Sequence, residues 1–231
     1  MQIGIARHVT SLMNALLLPA LALSSEVESH PCSEGNTGEL FLVERLGADR
    51  SAAESFIRQR YARTFGARIA AFMPRLFTLC DAHGAVHAAF GLRSAHHRLF
   101  TERYLDRPIE DMLARATATP VARQSIVEVG HSCGAFAGSM RSLIKLLATY
   151  LDREGYEWVV FTSTGALRNA FVRVGVSPLD LGPASITRLP PDERAAWGRY
   201  YDHAPRVSAG RIEVGVRAFA QRCRSAAEAQ T

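Results

Sequence analysis

Residues 125–175 read SIVEVGHSCGAFAGSMRSLIKLLATYLDREGYEWVVFTSTGALRNAFVRVG, and the change of period along this stretch decides the fold. SIVEVGH (125–131) is short and rich in β-branched residues, so it predicts a strand. Met140, Leu143, Ile144, Leu147 and Leu151 then recur at i, i+3, i+4, i+7 and i+11, a single apolar stripe on a helix that stops near Gly155. EWVVFTST (157–164) is a continuous apolar run bounded by turns, as in a buried strand. LRNAFVRVG (167–175) is a short amphipathic helix with Gly175 as its stop. Strand, helix, strand, helix in this order makes a β-α-β-α unit on a mixed sheet.

Upstream, ELFLVE (39–44) reads as a strand and SAAESFIRQRYARTFG (51–66) as a helix, with Asp49 or Ser51 as its N-cap. RLFTLCD and AVHAAFGLR are joined by the turn AHG, a hairpin of two antiparallel strands. PIEDMLARA (108–116) carries proline at a first helical position. The expected fold class is α/β, with a mixed, mostly antiparallel central sheet flanked by helices. Residues 24–38 are rich in Ser, Glu, Gly and Pro without an apolar period and read as a linker. The chain thus divides into a leader and linker over 1–38, a folded domain over 39–212 and a helical tail over 213–231.

A chain of 231 residues, 48% hydrophobic, suits one main domain. Its formal charge of +5 comes almost wholly from arginine, which fits anionic small molecules or anionic lipid. The arginines are dispersed and not interleaved with aromatics, which argues against nucleic acid. Cys32, Cys80, Cys133 and Cys223 lie far apart without C-x-x-C spacing, so reduced thiols are expected rather than disulfides or zinc. VTSLMNALLLPALALSS (9–25) follows Arg7 and His8 in the outline of a signal peptide, although Pro19 interrupts it. A cytoplasmic location is expected from the rest of the chain, with export as the alternative if residues 1–25 act as a signal.

Four segments carry a family resemblance: YLDRPIE (104–110), IVEVGHSCG (126–134), WVVFTSTGALRNAF (158–171) and WGRYY (197–201). Together they resemble the thermostable hemolysin family, which is related to acyl-homoserine lactone synthases and to the N-acetyltransferase superfamily. The resemblance covers about residues 39–212. It implies an N-acetyltransferase-like fold and transfer of an acyl group from an acyl-CoA or acyl-carrier-protein thioester to an amine. The family name implies a second class of function, a membrane-active protein that binds or lyses anionic membranes.

Acyl transfer on this fold needs a seat for the donor, a base for the amine and donors for the developing oxyanion. SCGAFAGS (132–139) lies between a strand and a helix, so Cys133, Gly134, Ala135, Gly138 and Ser139 are expected to aim backbone N–H groups at phosphate. An ordinary glycine-containing turn is the other reading, and the spacing departs from the superfamily's R/Q-x-x-G-x-G/A. Glu128 stands in an apolar strand on the face opposite Val127 and Val129, where a carboxylate is paired, hydrogen-bonded or raised in pKa. The lactone synthase resemblance implies that Glu128 and Arg93 line the cleft; a plain buried ion pair is the alternative. His131 is a proton shuttle or a hydrogen-bonded turn histidine.

Tyr104, Asp106 and Glu110 are implied to lie on the acceptor side, unless Asp106 caps the next helix. Thr162, Thr164, Arg168 and Asn169 are placed to bind an anionic group or the donor's tail; for Arg168 and Asn169 a structural tie is the alternative. Cys133 reads as an acyl-carrying nucleophile or as a buried thiol. No metal is expected, because adjacent His96 and His97 point to opposite faces of a strand.

Overall fold

The computed structural model of the protein describes residues 39–136 and 138–228. The leader, the linker and Cys32 lie outside the described residues. The chain runs through β1 (Leu40–Arg45), α1 (Arg50–Phe65), β2 (Arg75–Asp81), β3 (Val86–Ser94), α2 (Ile109–Thr117) and β4 (Ile126–Gly134). It continues through α3 (Ser139–Arg153), β5 (Trp158–Ser163), α4 (Gly165–Arg173), β6 (Leu179–Pro183), α5 (Pro191–Arg194), β7 (Arg206–Arg211) and α6 (Ile212–Glu228). The strands form one sheet in the order β1-β2-β3-β4-β5-β7-β6. Among the described residues only β4 and β5 pair in parallel, and every other pair is antiparallel. The α3 crossover makes that parallel pair possible, since a hairpin cannot join parallel strands.

Alternation along the strands feeds two layers. Val127 and Val129 of β4 pack with Leu92, Phe161 and, from α3, Leu143 and Leu151. Ile126 points the other way, joining Trp158, Val160 and the α2 residues Ile109 and Leu113. α1 covers the neighbouring part of that second face, with Ala53, Ile57 and Tyr61 against Leu76 and Ala89. Three buried positions at i, i+4 and i+8 explain why α1 sits where it does despite a weak overall apolar bias. α6 lies on the first face, where its Phe219 is buried with Ile144 and Val174.

Two interruptions in the sheet shape the space around β4. Between β3 and β4, Gly91 pairs with Gly130 and Ala89 with Cys133, so Phe90 faces both His131 and Ser132. This is a β-bulge, with His131 in the left-handed region at φ +56°. Between β4 and β5, pairing ends at Val129 and Phe161 although β4 runs on to Gly134 and β5 to Ser163. Beyond the bulge the two strands part.

Several local expectations change. β4 continues through Ser132, Cys133 and Gly134 because the bulge restores pairing with β3, up to Gly134 opposite Ala88. The connection to α3 is therefore 135–138 rather than 132–139. Neither Asp49 nor Ser51 caps α1: a 3-10 turn over Gly47–Asp49 leads directly into the helix, and the Ser51 hydroxyl donates to the Ala48 carbonyl at 2.9 Å. Pro108 precedes α2, and Glu102 rather than Asp106 receives the Ile109 N–H, at 3.1 Å.

Candidate active site

Where β4 and β5 part, a cavity of about 520 Å³ opens between Val129–Gly134 and the residues Thr162, Thr164, Leu167 and Asn169, with Arg60 and Thr64 of α1 as its far wall. A second cavity, of about 420 Å³, lies toward Ile69–Met73, Arg93, Phe100, Thr101, Arg103, Tyr104, Glu128 and Trp197. Tyr61, Val129, Gly130, His131, Thr162 and Tyr200 line both. The two cavities thus meet at the bulge. A third, apolar space of about 80 Å³ lies under α3, α4 and α6, and shares Val129, Ser132, Met140 and Leu167 with the first. A molecule in the first cavity therefore has an apolar branch on one side and the second cavity ahead of it.

His131 sits at the junction because the bulge turns it there. Its Nδ1 is buried without a hydrogen-bond partner, and its ring packs against Tyr61 and Phe72 at centroid distances of 6.2 and 5.5 Å. Burial, then the charges of Arg93 and Arg50, pull its pKa down to about 4. At neutral pH it is an uncharged imidazole. It is not the hydrogen-bonded turn histidine of the alternative reading.

Glu128 is 1% exposed, on the face opposite Val127 and Val129. Its two carboxyl oxygens accept from the backbone N–H groups of Phe100 (2.9 Å) and Thr101 (2.6 Å), which fixes the turn forming one wall of the second cavity. Burial raises its pKa, and the two amides and Arg93 oppose that shift. Arg93 is its cross-strand partner, but Nη1 stands 3.8 Å from Oε2, beyond hydrogen-bond length.

Tyr200 donates to Thr162 Oγ1 at 2.9 Å, and burial raises its phenol's pKa. Tyr104 lines the second cavity and shares a 2.5 Å hydrogen bond with the Tyr201 hydroxyl. Asp106 and Glu110 line neither cavity, contrary to expectation. Asp106 is 80% exposed and pairs with Arg188, while Glu110 pairs with Arg123 at 2.6 Å. Each carboxylate is drawn to the nearest guanidinium, away from the apolar cleft.

On the donor side, Thr164 and Asn169 line the first cavity. Arg168 is a tie, its Nη1 donating to the Ser163 carbonyl at 2.7 Å. The Ala135 N–H is taken by the His87 carbonyl at 2.7 Å, so it cannot serve a phosphate as expected. Ser139, at the start of α3, donates through Oγ to the Phe136 carbonyl at 2.6 Å. Gly134 has to be glycine: an added Cβ would stand 2.3 Å from Ser139 Oγ. The Gly138 carbonyl accepts the Arg141 and Ser142 amides. Cys133 lies within β4, away from any helix end, and burial pushes its thiol up to about 12, so it is not an activated nucleophile. Among the described residues no three His, Cys, Asp or Glu side chains converge on a metal-sized point.

Tyr61, Tyr200, Arg60 and the Phe100–Thr101 amides did not emerge from the sequence as site residues. Tyr200 falls inside WGRYY, whose aromatic density was the available signal. Tyr61 falls on the core stripe of α1 and is indistinguishable from a packing residue.

The family model for thermostable hemolysin matches residues 43–216. The chain belongs to the thermostable hemolysin family. No curated protein matches the sequence. Among solved structures, this thermostable hemolysin family chain is similar to FeeM, an N-acyl amino acid synthase from uncultured soil microbes. The two share 12% identity at a TM-score of 0.54, over 79% of this chain and 95% of FeeM. TofI, solved in a ternary complex with an inhibitor and MTA, gives 15% identity and 0.50, over 78% and 96%. LasI, an AHL synthase, gives 10% and 0.48, over 78% and 95%. What is shared with FeeM and TofI is the fold, a mixed, mostly antiparallel sheet between helices.

Proposed function

We propose that this protein moves an acyl group from an acyl-CoA or acyl-carrier-protein thioester to an amine by direct attack. The observation that carries the reading is the junction of two cavities at a strand bulge, beside a buried neutral imidazole. The donor lies along the parted edge of β4, and its tail enters the apolar space under α3, α4 and α6. The acceptor enters from the second cavity. Its nitrogen attacks the thioester carbonyl, the C–S bond breaks, and an amide and a thiol result.

The His131 imidazole takes the proton from the attacking nitrogen, and that proton goes on to the departing sulfur. Glu128 holds the Phe100–Thr101 wall in place, and Thr162 with Tyr200 borders the reacting carbonyl. The activity described for FeeM, on the same fold, accords with this reading. Cytoplasmic residence belongs to it as well.

The test incubates the full-length protein with acyl-CoA and acyl-carrier-protein donors from acetyl to long-chain, plus a mixture of amines, and follows free thiol with mass detection of amides. Thiol release that depends on amine is expected, and kcat should fall about 10²- to 10⁴-fold in His131→Asn. No release with any donor, together with leakage from anionic liposomes, would place the protein in the membrane-active class instead.

A further inference from the structure

The acceptor cavity opens outward into another hollow of about 550 Å³, whose charged lining is Arg93, Arg98, Arg103, Arg188 and Glu193. Arg93, Phe100, Arg103 and Glu193 line both spaces, so the two are continuous. Two of these guanidiniums are occupied. Arg103 makes a two-pronged pair with Glu193 at 2.7 and 2.8 Å, and Arg188 pairs with Asp106.

Arg93 and Arg98 are different. Among the described residues the one carboxylate paired with Arg93 is Glu128, 3.8 Å away and already engaged by two backbone amides. No ion pair among the described residues holds Arg98. Two guanidiniums without a matched anion, at the mouth of a pocket, are a site for a planar carboxylate. The rest of the acceptor cavity is mainly apolar, with Phe72, Met73 and Trp197 in its walls, although Arg68 lines it as well.

Register gives the separation. Arg93 is opposite Glu128, and Gly130 lies two residues further along β4, which is about 7 Å on a strand. An α-amino acid with a hydrogen bond at its nitrogen and another at its carboxylate spans about 9 Å. One molecule therefore reaches both the junction and Arg93. We propose that Arg93 and Arg98 form a carboxylate subsite, and that the acyl acceptor is an amine carrying a carboxylate on an apolar body. This rests on the acyl-transfer reading and names the acceptor class for the same site. Because the charge of Arg93 helps to hold His131 neutral, a bound carboxylate offsets that charge and makes the imidazole a better base when the right acceptor is present.

The experiment compares leucine and phenylalanine with their amides and their decarboxylated amines, using one acyl-CoA donor and reading thiol release. The acids should give kcat/KM at least about tenfold above the amides. Arg98→Ala should raise KM for the acids about 10- to 100-fold while leaving KM for the amides unchanged, as loss of a charge-assisted bond predicts, and Arg93→Gln should raise KM for the acids by a similar factor. Arg98 is exposed, so Arg98→Ala keeps the fold testable. Equal or better rates with the amides would overturn the subsite. So would an Arg98→Ala effect that appears only when an acyl-carrier-protein donor replaces the acyl-CoA in a parallel series, because the arginines would then be docking an acidic protein. A thermal-shift titration with phenylalanine reads the subsite independently of turnover. Stabilisation by phenylalanine that is lost in Arg98→Ala supports the subsite, and none in the wild type overturns it. Thiol release absent with every acceptor defeats the acyl-transfer reading alone.

Discussion

Gly198→Ala should be among the most damaging single-methyl additions outside the junction itself. Gly198 has φ 51° and ψ −125°, a region open to glycine and strained for alanine. A Cβ there would stand 2.3 Å from the Phe65 carbonyl oxygen and 2.8 Å from the Gly66 carbonyl atoms. These are backbone atoms at the end of α1, stitched to this segment by Arg199 N to Phe65 O and Arg68 N to Ala196 O, both 2.7 Å. They cannot rotate away. Strain of about 1–3 kcal/mol and overpacking of about 1–3 kcal/mol together give about 4 kcal/mol. That is a large part of a typical stability of about 5–15 kcal/mol, and for a chain of this size it lowers Tm by about 8–16 °C. The same displacement moves Tyr200, two residues on, off Thr162, so thiol release should drop even where the protein stays folded. Gly66→Ala is the control: its φ is +67° but an added Cβ meets nothing within 4 Å, so about 1 kcal/mol and a shift of about 2–4 °C are expected. Thermal unfolding followed by circular dichroism compares the two. A Gly198→Ala midpoint no lower than that of Gly66→Ala would refute the clash.

His131 makes stability depend on pH. Its folded pKa of about 4 lies below the ordinary 6.5, so between those values the unfolded chain takes up a proton that the folded one refuses, and stability falls as pH drops from about 6.5 to about 4. His131→Asn tolerates the left-handed backbone and should lose about 2 kcal/mol less than wild type between pH 7.5 and 4.5 in urea titrations. Phe219→Ala, at the floor of the apolar space, should destabilise by about 3–5 kcal/mol. In the same variant the preferred acyl-CoA should shift to longer chains, read from thiol release across a chain-length series. Gly134→Ala forces Ser139 Oγ from the Phe136 carbonyl and should cost about 1–3 kcal/mol, with a several-fold higher KM for acyl-CoA and an unchanged KM for the amine.

The β-α-β-α unit from β4 to α4 was legible because its signals are local: the α3 stripe lies within twelve residues, and the β5 run is unbroken. Glu128 was legible for a similar reason, since a carboxylate between two inward-facing valines must find partners. Those partners were not legible. The Phe100 and Thr101 amides are 28 and 27 residues away, and nothing in their own sequence marks a turn that needs a buried acceptor. β6 (LDLGP) and β7 (RVSAGR) escaped because they hold a single β-branched residue between them, although Val207 and Ala209 do alternate inward.

By itself, then, the sequence determined the order of the elements from β1 to α4, the face that β4 and α3 present to the core and the family to which the chain belongs. Tertiary structure alone decided the site. The His131 bulge exists only in the register of β4 against β3, Tyr200 is delivered by a contact between Gly198 and the end of α1, and Asp106 and Glu110 are drawn off by Arg188 and Arg123. Periodicity is a property of neighbours along the chain. Register and charge pairing depend on residues that only folding brings together.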